Sequence, residues 1–204
     1  MVAAQLRRRS IRDQRVLAAM SEIPREEFVP PQSRLEAYAD NPVPVGFGQT
    51  ISQPYMTALM AELLELKGTE TVLEVGAGCG YAAAVLSRLA ARVISVELIP
   101  ALAQLARENL RRTGRAANIT VIQGDGCWGF PDAAPFTAIS VAAAAREIPA
   151  ALLEQLADPG RLVIPVGEGD DQELRVLRKS GGRIESRVAT LCRFVPLRSG
   201  EVWG

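Results

Sequence analysis

The sequence of 204 residues contains no histidine. Histidine is the commonest general base near neutral pH, and it completes Ser-His and Cys-His nucleophile pairs, so its absence excludes those forms of catalysis. Imidazole is also a frequent zinc ligand. We therefore expect no metal site.

Cysteine is scarce as well. Cys79, Cys127 and Cys192 are odd in number and widely spaced, which fits neither a metal motif nor a disulfide framework and predicts a reducing, cytoplasmic location. No apolar run approaches the ~18 residues of a transmembrane helix. The arginine-rich N-terminus lacks the apolar stretch of a secretory signal.

Excess charge is absent too. The formal net charge is zero, with 48% hydrophobic and 23% charged residues, as in an ordinary globular protein. We expect no nucleic-acid partner and no membrane partner. Arg7 to Arg9 are either an anion contact or a solvated helix face. The length favours one domain. We also expect a monomer.

The stretch Thr71 to Ala82, TVLEVGAGCGYA, organises the rest of the chain. A short apolar run predicts a buried strand, three glycines predict a turn, and the alanine-rich run from Tyr81 predicts a helix. Strand, glycine turn and helix form a crevice for nucleotide-like ligands in α/β folds. Further strands are predicted at 92–96, 119–122, 136–141 and 161–165, with helices between them.

This alternation predicts an α/β fold with a mostly parallel, doubly wound sheet. Residues 173–177 and 183–195 alternate around Ser180-Gly181-Gly182 and predict a C-terminal antiparallel hairpin over 168–204. Within one domain of residues 1–204, we expect an N-terminal helix and substrate loop (1–55), a cofactor-binding core (56–167) and this hairpin.

The N-terminal part is predicted as a helical region over 1–29 and a long ordered loop without regular structure over 30–55. An amphipathic helix follows over 55–66. In the loop, Thr50 and Ser52 are polar groups among apolar anchors. They are either functional, or Ser52 caps the helix that follows Pro54.

Three acids mark the predicted carboxyl ends of strands: Glu74, Glu97 and Asp125. Ligands of open α/β sheets bind beyond these ends. Glu97 follows Glu74 by roughly the 20 residues expected of an acid that binds ribose hydroxyls. A carboxylate suits a diol because it accepts both hydroxyl hydrogens.

The glycine loop narrows the choice of ligand. Tyr81 stands where the dinucleotide motif needs its third glycine, so a nicotinamide dehydrogenase is the weakest alternative, and no Walker phosphate loop occurs. The pattern E-x-G-x-G-x-G suits a ligand with an ammonium group and a ribose. S-adenosylmethionine is such a ligand. Cys79 in the loop is either simply small or reactive.

Several motifs resemble the protein-L-isoaspartate O-methyltransferase family over nearly the whole chain. They are IRDQRVLAAMSEIPREEFVP, VGFGQTISQPYMTALM, VLEVGAGCGYAAAVL, VISVELIPALAQLAREN, GDG at 124–126, EIPAALLEQL, GRLVIPVG and RFVPL. The segment GQTISQP is the most specific of these. The resemblance implies a Rossmann-like methyltransferase that uses S-adenosylmethionine.

The resemblance also implies residue roles. Ser52 is similar to the family's active-site serine, with Thr50 and Ile51 beside it at the substrate. The implied cofactor contacts are Glu74, Gly76, Gly78, Gly80, Glu97, Asp125 and Gly126. Ser10 and Thr137 stand where the family suggests glycine and aspartate. Arg198 follows Pro196-Leu197 where a smaller polar residue is frequent.

The implied reaction is methyl transfer to the α-carboxylate of L-isoaspartyl residues in damaged proteins and peptides, which starts repair through a succinimide. Such a carboxylate is ionised at neutral pH, so no histidine base is required. Two alternatives stay open. One is a methyltransferase dedicated to a single peptide or biosynthetic precursor. The other is an inactive relative that only binds the cofactor.

Overall fold

The computed structural model describes residues 1–200. Its α-helices are α1 (Gln14–Glu22), α2 (Pro54–Leu63), α3 (Tyr81–Ser87), α4 (Pro100–Arg112) and α5 (Ala150–Glu154). Its strands are β1 (Val43–Gly46), β2 (Gln49–Ile51), β3 (Thr71–Val75), β4 (Arg92–Glu97), β5 (Ile119–Gln123), β6 (Phe136–Val141), β7 (Leu156–Glu168), β8 (Asp171–Ser180) and β9 (Arg183–Cys192). A π-helical turn covers Val2–Leu6, and 3₁₀ helices cover Arg25–Phe28, Pro31–Glu36, Gly126–Trp128 and Pro131–Ala133.

Seven strands form the central sheet in the order β5-β4-β3-β6-β7-β8-β9. The first five of these run parallel, and β8 and β9 add antiparallel strands at one edge. The strand order reverses between β3 and β6, the point where ligands of open α/β sheets bind. The predicted fold class, including the C-terminal hairpin, is confirmed.

Alternate residues of each central strand face two apolar layers, as the two-residue repeat of a strand requires. Val72 on β3 packs into a layer that includes residues of α1 to α4. Leu73 packs into the opposite layer with α5. Helices therefore cover both faces of the sheet, and the carboxyl edge of the strands stays open to solvent.

The predicted helical region over residues 1–29 is broken, so that prediction was wrong in part. Ser10 adopts φ 70°, a left-handed conformation that interrupts a helix. Asp13 then caps α1, because its side chain accepts hydrogen bonds from the N–H groups of Arg15 and Val16. The left-handed Ser10 also gives a physical reason for the glycine expected at that position.

Residues 30–55 contain regular structure, against the prediction of an irregular loop. The 3₁₀ helix Pro31–Glu36 is followed by the β1–β2 hairpin, in which Val43 pairs with Ile51. Phe47 at the turn has φ 55° and is 61% exposed, so the tip of the hairpin presents an aromatic ring to solvent. The antiparallel pairing fixes the position of Thr50 and Ile51.

The C-terminal part differs in extent from the prediction. Helix α5 ends at Glu154 and β7 begins at Leu156, whereas the sequence suggested a helix to 156 and a strand from 161. Strands β8 and β9 pair from Gln172↔Cys192 to Ser180↔Arg183. No helix within residues 1–200 is both long and apolar enough to cross a membrane.

Candidate active site

A cleft of about 850 Å³, counting the solvent at its mouth, opens at the carboxyl ends of β3, β4 and β6. The glycine loop after β3 forms one wall, and the end of β4 forms another. The segment from Gln49 to Ser52 and the C-terminal segment from Val195 to Arg198 close the remaining sides. Four parts of the chain that are distant in sequence therefore meet at the switch point of the sheet.

The glycine loop is anchored to the neighbouring strand. The N–H groups of Gly76 and Ala77 both donate to the carbonyl of Val96, at 2.8 and 3.3 Å. Gly78 has φ 54°, and a side chain built there would have no neighbour within 4 Å. The backbone at Gly78 is therefore open to a ligand.

Gly80 has a different role in the fold. It precedes α3 with φ 90°, and a side chain there would lie 3.2 Å from the carbonyl oxygen of Ala106 in α4. This glycine lets the two helices approach each other. Gly76, Gly78 and Gly126 line the cleft, whereas Gly80 does not.

Glu97 lies at the floor of the cleft and is 6% exposed. One carboxylate oxygen accepts the N–H of Gly78 at 2.8 Å, and the other accepts the N–H of Ile99 at 3.0 Å. A carboxylate offers about four acceptor positions, so two backbone bonds leave capacity for two hydroxyl donors. This remaining capacity is compatible with the two hydroxyls of a diol.

Glu74 does not line this cleft. It is 1% exposed on the face of β3, where it accepts a hydrogen bond from the hydroxyl of Ser95 and stands level with Ser140 on β6. Its Oε1 has no hydrogen-bond partner among residues 1–200. Burial raises the pKa of Glu74 to about 8. Because Glu74 is buried and does not line the cleft, its position does not favour a direct bond to the ammonium group of a ligand.

Asp125 also lies outside the cleft lining. One carboxylate oxygen accepts the N–H of Cys127 at 2.9 Å, and the other accepts Ser199 Oγ at 2.7 Å and the N–H of Gly200 at 2.8 Å. Asp125 thus holds the C-terminal segment beside the cleft. Desolvation alone would raise the pKa of Asp125. The hydrogen bonds stabilise the ionised carboxylate more strongly, so the pKa of Asp125 is lowered.

A second cavity, of about 1280 Å³ with its open solvent, adjoins the first. Thr50 and Ser52 line both cavities, together with Ala142 and Val195. Ile51 lines the first cavity only. Ser52 does not cap α2, since Gln53 holds the cap position without a side-chain hydrogen bond, so the capping interpretation was wrong. Ser52 therefore stands where two cavities meet.

The structure decides the alternative for Cys79 and shows the contacts of Arg9. Cys79 is 3% exposed, and burial raises its pKa to about 11, so the thiol is protonated at neutral pH and behaves as a small packing residue. Arg9 forms an ion pair with Asp40 at 2.8 Å, lies 3.6 Å from the ring centroid of Tyr55, and lines the second cavity. No cluster of metal-ligating side chains occurs in the part of the chain that the structure describes.

Comparison with known proteins identifies the family. The protein-family model described as Protein-L-isoaspartate(D-aspartate) O-methyltransferase (PCMT) matches residues 1–202. The chain belongs to the protein-L-isoaspartate O-methyltransferase family. A family protein from Marinobacter nauticus is 56% identical, over 100% of this chain and 93% of its own length. One from Methanoregula boonei is 52% identical, also over 100% of this chain and 93% of its own length.

Solved structures agree in fold. A protein described as a protein-L-isoaspartate O-methyltransferase from Plasmodium falciparum, crystallised with S-adenosyl-L-homocysteine, superposes with a TM-score of 0.85 at 28% identity. The match covers 96% of this chain and 95% of that one. Another protein-L-isoaspartate O-methyltransferase gives a TM-score of 0.83 at 30% identity, and this chain spans 63% of its length.

Several residues that line the cleft were not among the predicted site residues. They are Tyr81, Ala142, Ala143 and the segment from Val195 to Leu197. Ala142 and Ala143 directly follow β6, so their place beyond a strand end could have identified them. For the C-terminal segment, only the family resemblance around Pro196-Leu197 gave a signal, because the position of the segment depends on bonds between Ala144 and both Val195 and Leu197.

Proposed function

We propose that this chain transfers the methyl group of S-adenosylmethionine to the α-carboxylate of L-isoaspartyl residues in damaged proteins and peptides. The observation that carries the proposal is the shared wall at Thr50 and Ser52. One cavity ends in the glycine loop and Glu97, which suit the cofactor. The other, of about 1280 Å³ with its open solvent, is where the peptide would lie. Ser52 lies at the point where methyl donor and acceptor would meet.

Bound S-adenosylmethionine supplies the methyl group, and the chain supplies position. Gly76, Gly78 and Gly126 form the cofactor wall, and Glu97 accepts the ribose hydroxyls. Asp125 supports this wall through the C-terminal segment, Gly80 lets α3 and α4 pack closely behind the loop, and Glu74 is bonded to Ser95 inside the sheet. The lining of the first cavity and the hydrogen bonds of Glu97 support these assignments.

The Ser52 hydroxyl donates a hydrogen bond to one oxygen of the isoaspartyl carboxylate, and Thr50 and Ile51 border the same substrate position. No base is needed because a carboxylate with a pKa of about 3.9 is already ionised. Holding the reacting groups in line is the main contribution, and such positioning supplies up to roughly 7–11 kcal/mol in model reactions. The absence of histidine from the sequence is compatible with this mechanism.

A backbone amide nitrogen of the substrate then attacks the ester carbonyl and methanol leaves, which closes a succinimide. Water reopens the succinimide in part to normal aspartate, so the transfer starts a repair cycle. We also propose a cytoplasmic location, since Cys79, Cys127 and Cys192 are all free thiols. We further propose that the protein is a monomer. We also propose that it has no nucleic-acid partner, because its net charge is zero.

The test is a methyl-transfer assay with an isoaspartyl peptide and its normal aspartyl counterpart. We expect transfer to the isoaspartyl peptide only, and a kcat at least ~10-fold lower in Ser52→Ala with little change in S-adenosylhomocysteine affinity. Transfer to the normal peptide alone would overturn the assignment. Cofactor binding without transfer to any isoaspartyl peptide would favour an inactive relative or a dedicated peptide substrate.

A further inference from the structure

Arg25 is a charged residue with no exposed surface (0%). It begins the 3₁₀ helix Arg25–Phe28, and its guanidinium bonds to two backbone carbonyls. Nε donates to Ala37 at 2.6 Å, and Nη2 donates to Ser52 at 2.7 Å. A side chain from residue 25 is therefore bonded directly to the main chain of the proposed active-site serine.

The setting of Arg25 is costly for a purely structural residue. It forms no ion pair within residues 1–200, and its Nη1 has no hydrogen-bond partner there. Burial lowers the pKa of Arg25, as expected for a cation removed from water. A buried charge without a counter-ion destabilises the fold, and an apolar side chain of similar volume would avoid that cost.

The guanidinium also touches the cofactor side of the site. Its central carbon lies 4.9 Å from the ring centroid of Tyr81, the first residue of α3 after the glycine loop. Tyr81 packs edge-on against Phe28, with ring centroids 5.5 Å apart. Both Tyr81 and Ser52 line the cofactor cleft. Arg25 thus lies behind the cleft wall, between the segment that contains Ser52 and the start of α3 at Tyr81.

We propose that Arg25 is a positioning residue for methyl transfer. Its bond to the Ser52 carbonyl fixes the peptide group between Ser52 and Gln53, and so the direction of the serine side chain. Its contact with Tyr81 sets that peptide group relative to the cofactor loop. A planar, forked guanidinium can make both backbone bonds and the ring contact together, whereas a lysine ammonium cannot reproduce this geometry. The inference rests on the function proposed above.

Arg15 provides a control with the same bonding pattern, although Arg15 is exposed and Arg25 is buried. Its guanidinium also donates to two backbone carbonyls, those of Leu66 at 2.6 Å and Leu89 at 3.2 Å. Neither of these residues, nor Arg15 itself, lines either cavity beside Ser52. Arg15→Lys therefore removes a comparable backbone clamp at a place remote from the site.

The test measures kcat and KM with an isoaspartyl peptide, S-adenosylhomocysteine affinity by calorimetry, and thermal unfolding. We expect Arg25→Lys to lower kcat by about 10- to 100-fold, as small misplacements of reacting groups do, with cofactor affinity within about 3-fold. Arg15→Lys should lower the unfolding temperature and leave kcat within about 2-fold. Arg25→Met, which leaves no buried charge, should show the same kcat loss as Arg25→Lys.

A double-mutant cycle with Ser52→Ala separates positioning from general damage. If Arg25 acts through Ser52, Arg25→Lys should lower kcat far less in the Ser52→Ala background than in the wild type. Equal losses in both backgrounds, or wild-type kcat in both Arg25 variants, would overturn the inference and leave the proposed function intact. Absence of transfer by the wild-type chain would overturn the proposed function and, with it, this inference.

Discussion

At the scale of single residues, two of the acids predicted at strand ends, Glu97 and Glu74, occupy different environments. Glu97 ends β4 and reaches the cleft, whereas Glu74 lies one residue inside β3. Strand residues alternate between faces, so Glu74 points to the same layer as Val72 and away from the open edge. The sequence predicted the correct edge of the sheet for these acids. Which of them can reach a ligand depends on the direction of each side chain, which alternates along a strand.

The raised pKa of Glu74 predicts a pH-dependent stability. Burial favours the protonated form, so the folded protein binds this proton more tightly than the unfolded chain does. The stabilising effect is complete below the unfolded pKa of about 4.3 and is lost as the pH rises through the folded pKa of about 8. Wild-type stability should therefore fall relative to Glu74→Gln across this range.

Urea unfolding at pH 6 and pH 8.5 checks this expectation. The free energy of unfolding of Glu74→Gln minus that of the wild type should increase by at least ~1 kcal/mol between the two pH values. Glu147→Gln, which removes an exposed carboxylate, controls for the change in net charge. A Glu74→Gln difference that stays constant with pH would show that Glu74 is already ionised in the folded protein.

At the scale of elements, the C-terminal segment after β9, residues 193–200, completes the cleft, and no helix or strand is named within these described residues. Backbone bonds between Ala144 and both Val195 and Leu197 hold its first part, and the Asp125 carboxylate holds its end through Ser199 and Gly200. The regular strands and helices could be predicted from local periodicity. This segment and the clamp of Arg25 could not, because both depend on contacts between residues far apart in sequence.

The Asp125–Ser199 bond predicts an effect on cofactor affinity. Ser199→Ala removes one hydrogen bond that orders the segment. The segment of the variant is then less ordered before binding, and ordering it costs part of the binding free energy. We expect S-adenosylhomocysteine to bind about 3- to 10-fold more weakly, which corresponds to the ~1 kcal/mol typical of one hydrogen bond. Calorimetry measures this change. Ser186→Ala, on the exposed edge strand β9, should bind with unchanged affinity, and equal affinity of Ser199→Ala and wild type would contradict the role of the segment.

At the scale of the whole molecule, two apolar layers share one sheet. Residues of β3, β4, β6 and β7 contribute alternately to both layers. Residues 1–55, 56–167 and 168–204 were predicted as parts of a single domain, and three described elements of these parts meet in the same core. Leu17 of α1, Val72 of β3 and Leu174 of β8 all belong to one layer. Because this layer draws on all three parts, we expect them to unfold together.

Thermal unfolding with and without S-adenosylhomocysteine tests this unity. We expect one transition, coincident by far-UV circular dichroism and tryptophan fluorescence. Ligand at 100 times its Kd adds about 2.7 kcal/mol, and a chain of this length gains roughly 2–4 °C per kcal/mol, so the whole transition should rise by about 5–11 °C. Glu97→Gln should keep the single transition but shift less at the same ligand concentration, because the ribose loses an acceptor. Two transitions, with only one that responds to the ligand, would mean that the chain folds as separate units and that the cofactor stabilises just one of them.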